Sequence, residues 1–137
     1  MNIPDNEFGE RVARRLREER IIWLTTLRKD GTPQPTPVWF YWNSDTFLIF
    51  SEPNTQKLRN LAAHPKVALH FDGDGEGGNI VVIWGEAMVG ERPSQEDLAA
   101  YLEKYQDGLK RIQMTAQDFT GSYTVPIRIR PIHLRGH

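Results

Sequence analysis

The chain contains no cysteine. That removes thiol nucleophiles, CxxC redox pairs, cysteine-bound zinc and disulfides at once, and it suits a reducing cytoplasm. Charge of one dominant sign is also missing: 17 Lys and Arg stand against 18 Asp and Glu, for a net charge of -1. This balance gives no bulk electrostatic reason to bind nucleic acid or an acidic membrane. No apolar run approaches bilayer length, and the opening MNIPDNEFGERVARR has no apolar h-region. The expectation is a soluble, cytoplasmic protein with no nucleic-acid or membrane partner. The four histidines, His64, His70, His133 and His137, show no HExxH spacing, and no serine sits in G-x-S-x-G. No metal site is expected, and the histidines read as structural or surface residues.

What is present is enough for one domain spanning residues 1–137, long enough to bury a core unaided. Residues 5–19 read as a helix, with Phe8, Val12 and Leu16 four apart on one face. Arg20 to Arg28 reads as a strand, and Lys29-Asp30-Gly31 as a hairpin turn. A second strand is expected over about 34–43 and a third from Thr46 to Ser51. A helix over about 55–64 follows and is ended by Pro65. Strands near 66–72 and 79–90 flank the loop Gly73 to Gly78. Ser94, with Asp97 three residues on, opens a helix near 95–106; another is expected over 108–115 and a last strand from Tyr123 to Leu134. Short hairpin connections favour a mainly β, α+β fold: an antiparallel barrel or sandwich with helices as lids.

Several motifs compete. Gly73-Asp-Gly75-Glu-Gly77-Gly78 contains G-x-G-x-x-G, but it joins two strands, and Asp72, Asp74 and Glu76 repel phosphate. As a calcium loop it fails at the twelfth position, which is Ile83. It reads as an acidic hairpin loop. The arginines of Glu10 to Arg20 alternate with Glu10, Glu18 and Glu19, the pattern of a solvated helix face, with a polyanionic ligand tail as the minority reading. In GTPQPTPVWF, residues 31–40, prolines at 33, 35 and 37 place all the missing amides on one side. One strand margin is therefore left unpaired. Between Ser51 and Leu61 a strand end leads into a helix whose first turn carries Gln56 and Lys57 and no acid. Free amides, hydroxyls and a lysine there suit a phosphate, while a capped helix with an exposed lysine suits the residues equally well.

Taken together, LTTLRKDGTPQPTPVWF (24–40), FLIFSEPNTQKLRNLAAHPKVAL (47–69), the Trp84-Gly85-Glu86 strand and Pro126-Ile-Arg-Ile-Arg-Pro131 resemble the flavin-binding split β-barrel superfamily. That superfamily includes pyridoxamine 5′-phosphate oxidase and the flavin/deazaflavin oxidoreductases. The likeness covers roughly residues 15–135 and is nearest to the branch using coenzyme F-420, an 8-hydroxy-5-deazaflavin. The resemblance implies a homodimeric split barrel of about six antiparallel strands with peripheral helices. It implies that Pro35, Thr36, Pro37, Val38 and Trp39 run along the cofactor ring. It further implies that Phe50, Ser51, Thr55, Gln56 and Lys57 complete the cofactor site, Ser51, Gln56 and Lys57 on the phosphate. The oxidases carry an arginine and a lysine on the strand where this chain has Thr36 and Tyr41, which weighs for F-420 over FMN. The implied activity is hydride transfer to a conjugated or aromatic small-molecule acceptor, stacked on Trp39, Phe40 or a partner residue, with Tyr41 or solvent as acid. The alternatives are an FMN enzyme or FMN-binding protein of the same fold, and a non-catalytic protein storing a flavin-like or haem-like ligand.

Overall fold

The computed structural model describes all residues, 1–137. Asn6 caps α1 (Glu7–Glu18) by accepting the Gly9 amide, and Val12 and Leu16 enter the core fully buried. The arginine face of this helix is not solvated throughout. Arg15 is buried, donates to the carbonyls of Asp72 and Asn79, and pairs with Glu19. A guanidinium can meet several acceptors at once, so it pins α1 across the loop between two strands.

That loop joins β5 (Lys66–His70) and β6 (Val81–Val89); the other strands are β1 (Ile22–Leu27), β2 (Pro33–Val38), β3 (Tyr41–Trp42), β4 (Phe47–Ser51) and β7 (Val125–Gly136). All pairings are antiparallel, in the order β2-β1-β5-β6-β7-β4-β3. The sequence predicts about six strands, with one running over 34–43. Instead that segment splits after Val38 and contributes both edge strands of a seven-stranded sheet. The cause is Phe40. Its amide donates to the Tyr105 hydroxyl, and its carbonyl accepts from Lys104, so its backbone leaves the ladder.

The split fixes the curvature of the sheet. Only Trp39 and Phe40 separate β2 from β3, and each residue spans at most about 3.6 Å. The two edges must therefore meet, and the sheet curls into a split barrel whose seam is Trp39–Phe40. Along β2, Gln34, Thr36 and Val38 turn their amides toward β1, and the exposed prolines face the open margin. At the bulge between Trp84 and Gly85, a Cβ on residue 85 would stand 2.7 Å from the Arg130 carbonyl oxygen, so only glycine fits.

The barrel interior is a cluster of 17 buried apolar residues, among them Leu24, Phe47, Ile49, Leu69, Ile83 and Ile127. Outside the barrel, a second cluster joins Leu48 to Tyr101, Tyr105, Leu109 and Phe119. It is covered by α3 (Gln95–Lys104), α4 (Gln106–Arg111) and α5 (Ala116–Ser122). The helix expected over 108–115 lies instead at 106–111, and α5 is a further helix that the sequence reading does not contain. Gln113 adopts a positive φ of 60°, and Thr115 with Asp118 forms a reciprocal capping box that starts α5. No helix is long and apolar enough to cross a membrane.

Candidate cofactor site at the barrel seam

A cavity of about 310 Å³ opens beside the seam. One wall is Ile21 with Pro37, Val38 and Trp39; Phe50 at the end of β4 and Lys57 from α2 (Gln56–Ala63) form the next. The helical layer closes it with Tyr101, Ile112, Phe119 and Tyr123. Lys57 is the only charged residue among these ten. An apolar chamber with a single cation suits a flat ring bearing an anionic group.

The cation is unsatisfied. Lys57 is half-buried and makes no hydrogen bond or salt bridge, and burial lowers its pKa while Glu52 nearby raises it. The helix start beside it is open as well. Thr55 occupies the N-cap position without capping, because its hydroxyl is engaged with Ser51 Oγ at 3.0 Å, and no acid stands in the first turn. The first amides of α2 and the Lys57 ammonium therefore offer one anion site.

The structure brings Pro37, Val38, Trp39, Phe50 and Lys57 together on the cavity and leaves the other expected residues off its lining. Pro35 is exposed on the sheet edge and Thr36 pairs with Leu24. Ser51 is buried and donates to the Glu52 carbonyl. Gln56 donates to Asn60 and accepts from Arg59, while Asn60 donates to Thr26 and Gln34. That chain ties α2 to β1 and β2.

The aromatic expectations change too. Phe40 is fully buried with the Lys104 ammonium 3.6 Å from its ring centroid, so no acceptor can stack on it. Trp39 lies against Tyr105, centroids 4.5 Å apart and 4° from parallel, and this face is already covered. Tyr41 pairs with Leu48 on the sheet and is absent from the lining. The hydroxyl groups at the cavity belong to Tyr101 and Tyr123, which sequence reasoning did not single out. Their placement depends on helices that return from more than sixty residues away in the chain, as the Tyr105 bond to Phe40 across 65 positions illustrates.

The sequence pattern of the pyridoxamine 5′-phosphate oxidase family matches residues 8–130. The chain belongs to this family. Among solved structures it resembles an F420 reductase, with 22% identity, a TM-score of 0.66, and coverage of 88% of this chain and 92% of that one. It also resembles HutZ, the heme storage protein from Vibrio cholerae (19%, TM-score 0.66, 93% of each chain). A putative pyridoxamine 5′-phosphate oxidase from Listeria innocua is similar at 20% identity, TM-score 0.68, covering 92% of this chain and 94% of that one. At such identities these likenesses speak for the fold. No curated protein matches.

Proposed function

We propose that the protein is an oxidoreductase that holds a flavin-type cofactor in the seam cavity, with coenzyme F-420 preferred and FMN the alternative. The observation that carries this reading is Lys57: an unpaired, half-buried ammonium at an otherwise apolar chamber, beside an uncapped helix start. Lys57 and the α2 amides hold the phosphate. Pro37, Val38 and Phe50 bound the ring. When bound, a reduced deazaflavin supplies a hydride to a conjugated or aromatic acceptor. The chain's own part is to bind, orient and exclude water, with Ile112 and Phe119 lining the helical side of the chamber. Thr36 and Tyr41, standing where the resembling oxidases carry an arginine and a lysine, support F-420 over FMN.

The proposed unit is a homodimer. Trp84 and Met88 lie on the outer face of β6, 40% and 51% exposed, with Ile132 of β7 exposed on the same sheet. A second copy of the chain would cover this apolar surface.

The heme-storing relative makes ligand storage the second reading. The cavity residues include no histidine, methionine or cysteine, so its candidate iron ligands are the hydroxyls of Tyr101 and Tyr123 and the amine of Lys57. Titrating purified apoprotein with F-420, FMN, FAD and haem side by side tests both readings. F-420 should bind most tightly. Tight haem binding with no flavin or deazaflavin binding overturns the oxidoreductase reading.

A further inference from the structure

The seam holds two buried tyrosines one helical turn apart, and only one of them is satisfied. The Tyr105 hydroxyl accepts from the Phe40 amide and donates to the Arg20 or Phe40 carbonyl. Tyr101 is 1% exposed and its hydroxyl has no hydrogen-bond partner in the protein. Its ring is held by Phe50, edge-on at 4.8 Å, and by Tyr105 at 5.0 Å, so it cannot swing out to find one. The fully sealed, unpartnered side-chain polar atoms are Arg11 Nε and Asn79 Oδ1. The Tyr101 oxygen is not among them, so it is not fully sealed, and Tyr101 is one of the residues that line the cavity. A buried hydroxyl left unmet is costly, and a ligand that meets it gains accordingly.

We propose that the Tyr101 hydroxyl is the hydrogen-bond donor for a ring carbonyl or ring oxyanion of the flat conjugated ligand that fills the cavity. This rests on reading the cavity as a ring site. Burial, with Tyr105 and Tyr123 close by, holds this phenol well above its ordinary range, so it stays protonated and donates. The ligand class follows: planar, apolar on its faces, with an oxygen acceptor at its rim. A hydrocarbon of the same shape leaves the hydroxyl unmet and is discriminated against. That oxygen can belong to the cofactor ring or to the acceptor.

The test compares wild type with Tyr101→Phe, which keeps the packed ring. Tryptophan fluorescence reads the binding of menadione (a ring ketone), of 2-methylnaphthalene (its hydrocarbon counterpart), of FMN and of F-420. The preference for menadione over 2-methylnaphthalene, or the affinity for FMN or F-420, should fall about tenfold in Tyr101→Phe. The melting temperature should not fall. Loss confined to menadione assigns the oxygen to the acceptor, and loss confined to the cofactors assigns it to their ring. Menadione discrimination without flavin or F-420 binding would end the cofactor reading and leave the donor assignment standing. Equal binding by both proteins, no binding of any probe by wild type, or a loss of stability in Tyr101→Phe overturns the proposal.

Discussion

The barrel interior and the seam are both packed, yet they are built from different materials. The interior is made of aliphatic and phenylalanine side chains with no polar handle, held by shape alone. The seam cluster is aromatic and hydroxyl-bearing, and its backbone depends on side chains. Phe40 has left the ladder and relies on Tyr105 and Lys104. An interior of the first kind gives stability. A junction of the second kind leaves a chamber, a cation and a free hydroxyl beside it, and these are what a ligand needs.

The largest effect should come from the interior. Leu69→Ala removes a fully buried side chain from the 17-residue cluster and should cost about 2–5 kcal/mol in denaturant unfolding. A loss below about 1 kcal/mol would mean the barrel is looser than its packing indicates. At the seam, Tyr105→Phe leaves the buried Phe40 amide without an acceptor and should cost about 1–3 kcal/mol. Were the variant as stable as wild type, side chains would not be what breaks the strand.

Lys57→Ala separates binding from stability. An ammonium with no protein partner contributes little to folding, so the midpoint should barely move. Cofactor affinity should drop about tenfold or more, since a charge-assisted phosphate contact is lost. Unchanged affinity for both F-420 and FMN would remove the phosphate from this end of the cavity.

The same contrast governs what could be read beforehand. Strand periodicity, the Asp30-Gly31 turn and the alternating prolines are local signals, and they located β1, β2, β4 and the open margin. The seam is not local. Nothing in Trp39-Phe40-Tyr41 marks a strand end, because the groups that interrupt it arrive from positions 104 and 105. Tyr101, Phe119 and Tyr123 reach the cavity only through the lid helices, one of which starts at a Thr-x-x-Asp signal plainly present at 115–118. Residue pattern alone also could not show that Gln56 and Ser51 would be engaged by protein partners while Lys57 stays free.

The smallest and most specific prediction concerns Lys104, the one cation built into the seam. Burial, with the Arg20 charge, lowers its pKa from 10.5 to about 8, while Glu19 acts the other way. The Phe40 carbonyl at 2.8 Å and the Phe40 ring at 3.6 Å also favour the ammonium. Between those two values the unfolded chain binds more protons at this site than the folded one, so stability contributed here rises with pH through that window. Below pH 8 both states are protonated and the penalty of burying the charge is fully present. The tyrosines act oppositely: Tyr101 and Tyr105 keep their protons in the fold, which lowers stability once the unfolded phenols ionise near 10. Denaturant curves of wild type and Lys104→Met, compared between pH 8 and 10, cancel that common effect. Wild type should gain on the variant as pH rises. Parallel curves would mean that the Phe40 contacts hold the ammonium as firmly as water does, and that the seam carries its buried charge without penalty.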